Sequence, residues 1–302
     1  MAELLVVGTL ALDNVKTPFG AVHDALGGSA TYFAYAASFF TRVRLVAVVG
    51  RDFPQAHLDL LAGRGVDLGG VQVAEGPTFR WTGEYGYDLN EARTLDTQLG
   101  VLADFHPVFP DHFRRSPFVF LANVDPEIQL DLLRRIERPR LVALDTMNYW
   151  ITGKREALRR VLAEADALLV NDAEARMLTE EPSLVKAVRT ILGYGPRVVV
   201  VKRGEYGVLM AADGRFFFTP AFPVESVFDP TGAGDTFAGG FMGVLAHADR
   251  VDDETLRRAV VYGSVMASFA VEDFSLNRLT RLTEAEIEER FGAFREMMRL
   301  GH

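Results

Sequence analysis

FDPTGAGDTFAGG, residues 228–240, places four glycines, two carboxylates, two threonines and one proline in thirteen positions. A dinucleotide fingerprint needs a third glycine where this stretch has Phe237, and it belongs early in a strand–helix–strand unit, not this late in the chain. A phosphate loop of the Gly-Lys-Ser/Thr kind is excluded, because no lysine follows the last glycine. What remains is physical. Pro230 ends the preceding segment, and Thr231-Gly232-Ala233-Gly234 turns into a helix running through DTFAGGFMGVLA. Small residues leave the amides of Gly232, Ala233 and Gly234 bare at a helix N-terminus, which suits an anion. Asp235 then falls in the first turn beside that anion. A carboxylate there is repelled by a phosphate unless its role is chemical, as acceptor of a proton from an attacking hydroxyl. The same residues also spell a plain helix start whose acidic first turn favours the dipole.

Outward from this stretch the chain alternates. The runs ELLVVG (3–8), RLVAVVG (44–50), FVFLAN (118–123), RLVALDT (140–146), ALLVND (167–172) and RVVVVKRG (197–204) are continuously apolar and end in glycine or a polar residue. Such runs mark strands buried on both faces. Between them lie stretches of helical period at 28–40, 54–64, 126–137, 153–164 and 172–192, with a long one from 233. The pattern predicts an α/β fold with a mostly parallel sheet between helices. Ligands of such sheets bind beyond the carboxyl ends of the strands. Residues 71–97 break the rhythm with alternating polar and aromatic residues and predict antiparallel strands, to which 10–24 would add a pair. The expected division is a core of 1–9, 25–70 and 98–302, with a small β lid made of 10–24 and 71–97.

Composition bounds the function. The 302 residues suffice for one large domain, and with no cysteine there is no disulfide, thiolate nucleophile or zinc-thiolate site. A formal charge of −9 argues against nucleic-acid binding. No apolar run reaches the length of a membrane span, and MAELLVVGTLALD reads as a first strand and not a leader, so a cytoplasmic protein is expected.

DPTGAGDTFAGGF resembles the C-terminal signature of the ribokinase-like, or PfkB, family of carbohydrate and nucleoside kinases, and the likeness extends over essentially the whole chain. The resemblance implies a three-layer α/β/α sandwich with a small β-sheet lid, ATP as phosphate donor and Mg²⁺ as cofactor. It implies Asp235 as general base and the amides of Gly232, Ala233 and Gly234 as anion hole. Asp13, followed by the pair Gly27-Gly28, matches the family's N-terminal sugar-binding pattern, and Asp52 in GRD matches its G-x-D. Where the family commonly carries Lys and Asn after the glycine pair, this chain has Ser29 and Tyr32. Tyr32 could stack on a ligand or pack in the core. Asn171-Asp-Ala-Glu174 matches the N-x-x-E motif that organises magnesium and its waters, and also spells a capping box. Lys202, Gly204 and Gly207 match the strand and turn along ATP, where Asn171 also belongs. Asp229 and Thr231 fall where some members hold a monovalent cation, K⁺ in particular. Lids of the family often pair across a homodimer, and Arg80 and Arg93 are candidate lid contacts.

The expected activity is therefore transfer of the ATP γ-phosphate to a hydroxyl, chiefly a hydroxymethyl, of a sugar. Two alternatives stand beside it: a nucleoside as acceptor, to which Ser29 and Tyr32 tilt the reading, and a noncatalytic sensor that binds sugar or nucleotide on the kinase fold.

Overall fold

The structure is a computed structural model that describes residues 2–299, so residue 1 and residues 300–302 of the expected core lie outside the described residues. The chain builds two sheets from thirteen strands: β1 (Leu4–Val7), β2 (Ala11–Thr17), β3 (Gly20–Gly27), β4 (Val43–Gly50), β5 (Asp67–Ala74), β6 (Arg80–Tyr85), β7 (Ala92–Gln98), β8 (Phe118–Leu121), β9 (Leu141–Asp145), β10 (Ala167–Asn171), β11 (Val198–Lys202), β12 (Val208–Ala212) and β13 (Arg215–Thr219). The large sheet has the order β13-β12-β11-β10-β9-β8-β1-β4-β5 and the small one β3-β2-β6-β7.

Six strands of the large sheet are the six apolar runs, and they pair in parallel with their neighbours. Their continuous hydrophobicity follows from the covering of both faces. Leu4 and Val6 point into one core with Phe33, Phe237 and Phe241, whereas Leu5 and Val7 point into the other with Leu158 and Val188. Helices Ser29–Ala37, Ala233–Ala248 and Asp253–Ala270 lie against the first side. The helix Ala233–Ala248 approaches Ser29–Ala37 closely because Gly239 has no Cβ; one would stand 2.4 Å from the Phe33 carbonyl oxygen.

Three expectations change. Residues 71–74 belong to β5, which pairs in parallel with β4 at the edge of the large sheet and not with the small sheet. The small sheet instead runs on through Gly27 and Gln98, and its two antiparallel pairs join through parallel β2 and β6. The helical stretch 172–192 is two helices, Asp172–Thr179 and Leu184–Leu192, separated at left-handed Glu180 and at Pro182, which cannot continue a helix. The antiparallel hairpin β12–β13 was not foreseen. Its signal was the Asp213-Gly214 pair, both at positive φ, as a two-residue hairpin turn requires.

Candidate active site

The carboxyl ends of β9, β10 and β11 and the start of helix Ala233–Ala248 converge. Asp145, Asn171 and Lys202 are the last residues of three adjacent parallel strands. The Nζ of Lys202 donates to the Gly234 carbonyl oxygen at 3.4 Å, so the ammonium lies against the first turn of the helix. Asp235 stands in that turn, half-buried, facing Lys202, Glu174 and Asp145. Burial raises its pKa above the usual carboxylate range; Lys202 opposes the rise, and Glu174 adds to it. Of the three amides expected to hold an anion, that of Ala233 turns back onto the Pro230 carbonyl oxygen at 3.2 Å. Those of Gly232 and Gly234 have no backbone partner among the described residues.

Asn171 and Glu174 form the reciprocal capping box: Asn171 Oδ1 accepts from the Glu174 amide at 2.7 Å, and Glu174 Oε2 accepts from the Asn171 amide at 2.8 Å. Burial raises the Glu174 pKa, while Lys202 works against it. The cap thus fixes a carboxylate oriented toward the Lys202–Asp235 cluster.

Asp13 lies in β2, in the small sheet, 5% exposed, with Oδ1 buried and unpartnered among the described residues. Burial pushes its pKa up to about 7; the Gly28 and Trp81 amides pull down, and Asp229 and Asp235 push up. Gly27 makes room for it, since a Cβ there would meet Asp13 Oδ2 at 1.9 Å. At Gly28, φ is +96° and a Cβ would meet the Thr9 carbonyl oxygen at 2.4 Å. The glycine pair therefore serves the approach of the chain to itself.

Several expected ligands turn out to serve the fold. The Tyr32 ring, 2% exposed, lies beneath Gly232, where a Cβ would come within 2.4 Å of it; this is core packing, and no ring face is free to stack. Ser29 is consumed between Thr9 and the Asn123 carbonyl oxygen, accepting from the Thr9 amide at 3.3 Å and donating to Asn123 at 3.2 Å. Asp52 Oδ1 accepts from the amide and hydroxyl of Thr78 at 2.8 and 2.6 Å, and Oδ2 from Arg80 at 3.0 Å. Against the effect of burial, these bonds hold the Asp52 pKa low. Gly207, at φ +84°, is required by the close Thr219 carbonyl oxygen, 2.1 Å from a Cβ, and not by an open face. At Gly204 the space beside the backbone is filled by Asn90 from the β6–β7 loop, whose Oδ1 accepts from the Glu205 amide at 3.3 Å. Asp229 is buried and its two oxygens accept from the amides of Thr231 (2.9 Å) and Ser275 (3.4 Å), while the Thr231 hydroxyl bonds Tyr85 of the small sheet at 3.3 Å. Arg93 pairs with Glu84 at 3.0 Å in solvent.

The pfkB family carbohydrate kinase pattern matches residues 4–281. The chain belongs to that family. A cytidine kinase of Thermococcus kodakarensis is 33% identical over 249 residues, covering 80% of this chain and 88% of that one. The nucleoside kinase of Methanocaldococcus jannaschii has the same fold, with a TM-score of 0.79 at 22% identity, covering 97% and 99% of the two chains. An E. coli protein solved with ATP and Mg²⁺ superposes with a TM-score of 0.78 at 18% identity, over 97% and 100%. The kinase is thus a carbohydrate or nucleoside phosphotransferase on the ribokinase-like fold. Among the described residues no helix is long and apolar enough to cross a membrane, and no three His, Asp or Glu side chains converge as a metal cage.

Sequence reasoning missed Asp145, which was only the polar end of a strand. It is 3% exposed, with Oδ1 unpartnered among the described residues. Asn123 was missed too; its side chain accepts from the Trp150 indole at 2.9 Å. No local pattern marks either, because their partners come from distant segments.

Proposed function

We propose that this kinase transfers the γ-phosphate of ATP to the 5′-hydroxymethyl group of a nucleoside. The observation that carries the chemistry is Asp235: a carboxyl group with a raised pKa, in a helix turn beside the unpartnered amides of Gly232 and Gly234. The nucleoside as acceptor is supported by the resemblance to a cytidine kinase over most of both chains. In this reading the acceptor's ribose hydroxyls donate to Asp13. Asp235 takes the proton of the 5′-hydroxyl as its oxygen bonds to phosphorus, and the bond to the ADP oxygen breaks. The Gly232 and Gly234 amides and the Lys202 ammonium balance the charge on the transferring group. The site's donor chemistry fits Mg²⁺. Glu174 and Asn171 are hard oxygen donors, and three carboxyls face one ammonium, an excess of acid that a divalent ion would offset. Glu174 and Asn171 would hold the ion, mainly through water, and it would neutralise phosphate charge. No monovalent cation enters the mechanism. The small sheet would close over the acceptor and exclude water.

The test is ATP turnover with Mg²⁺ over a panel of nucleosides and sugars, with product masses, for the wild type and Asp235→Asn. Nucleosides gaining one phosphate on the 5′-oxygen are expected. Asp235→Asn should keep its melting temperature and lose about 10³-fold in kcat. Phosphorylation of sugars with no nucleoside accepted would overturn the acceptor, and an unimpaired Asp235→Asn would overturn the base.

A further inference from the structure

Asp145 closes β9 in the middle of the large sheet, where Gln129 pins its backbone: Gln129 Nε2 donates to the carbonyl oxygens of Leu121 and Ala122 at 3.1 Å and of Asp145 at 3.3 Å. Its carboxyl is held in place with no hydrogen-bond donor for Oδ1 among the described residues. It stands within hydrogen-bonding reach of the carboxyl of Asp235, with Lys202 and Glu174 as the other charged groups around the pair. Two ionised carboxylates have no proton to share, so they can bond only if one is protonated. We propose that Asp145 is a positioning residue that holds the proton and donates a hydrogen bond to Asp235, leaving the other Asp235 oxygen aimed at the acceptor hydroxyl. The burial of the two residues decides which keeps the proton. Asp145 is nearly sealed from solvent and Asp235 is half-buried, so ionising Asp145 costs more. Burial raises the Asp145 pKa well above the carboxylate range, and Asp235 raises it further. Conversely, the bond that Asp145 donates lowers the Asp235 pKa and keeps the base ionised. Asp145 neither touches the transferred group nor takes its proton.

This inference rests on Asp235 being the base, and the experiment separates the two. The kcat–pH profile is measured for the wild type, Asp145→Ala, Asp145→Asn and Asp235→Asn. A lost hydrogen bond to a charged group predicts that Asp145→Ala loses about 10- to 100-fold in kcat, with KM little changed and the acid limb moved to higher pH. In Asp145→Asn the amide donates to the same carboxylate, so most of kcat and the position of the limb should return. The infrared difference between wild type and Asp145→Asn at pH 7.5, without ligands, should contain the band of a protonated carboxyl. An ionised-carboxylate band in its place would overturn the proposal. So would Asp145→Asn being as slow as Asp145→Ala with a raised Mg²⁺ requirement, which would make Asp145 a charged ligand. Wild-type kcat and limb in Asp145→Ala would overturn it as well. An active Asp235→Asn would instead remove the base on which it rests.

Discussion

Gly232 holds φ at +73° with the buried ring of Tyr32 directly against its Cα. Two separate costs would meet a side chain there. The left-handed conformation costs alanine about 1 kcal/mol, and a Cβ 2.4 Å from a locked aromatic ring adds an overpacking penalty of similar or larger size. Gly232→Ala should therefore lower unfolding free energy by about 3 kcal/mol in urea titration. It should also cut kcat more than tenfold, because the helix start can relieve the clash only by moving the amides beside Asp235. The residue that seemed a candidate ligand, Tyr32, thus acts from below, as the floor on which the glycine turn is set.

At the scale of elements, the small sheet is fastened to the large one at few points. Asp52, just past β4, receives the Thr78 amide and hydroxyl and the Arg80 guanidinium, and the Thr78 hydroxyl in turn accepts from the Gly50 amide at 3.0 Å. Thr78 is fully buried, so removing its acceptor leaves donors with nowhere to turn. Asp52→Ala should cost about 2 kcal/mol and raise hydrogen-exchange rates through β6 and β7, leaving β1, β8 and β9 protected. Unchanged exchange in β6 would mean that Tyr85 on Thr231 and Asn90 on Glu205 hold the sheet by themselves.

For the whole molecule the clustered acids have a stability consequence. Asp13, Asp145, Glu174, Asp229 and Asp235 all have pKa values raised chiefly by burial. A carboxyl whose folded pKa is raised binds its proton more tightly in the native state. The stabilisation it gives is therefore full below the unfolded value near 4 and is lost as pH rises through the folded value. For Asp13, with a folded pKa of about 7, the loss is on the order of 4 kcal/mol between pH 4 and pH 8. Calorimetry of the ligand-free protein should show a lower Tm at pH 8 than at pH 5.5. Asp13→Asn should be more stable than wild type at pH 8, lose that advantage at pH 5.5, and bind the acceptor poorly. A wild-type Tm independent of pH would contradict this view of the site.

The sequence by itself determined the six central strands, because a strand covered on both faces has to be apolar throughout, and that need is local. It determined the glycine turn with Asp235 and the Asn171–Glu174 cap, because both are made within a few consecutive residues. Only the tertiary structure decided what Asp52, Ser29 and Tyr32 do, since their partners are Thr78 and Arg80, Asn123, and Gly232. It alone brought Asp145 to Asp235 across ninety positions of chain. Sheet order, set by long-range burial, chooses which strand ends become neighbours, and no short stretch of sequence encodes that choice.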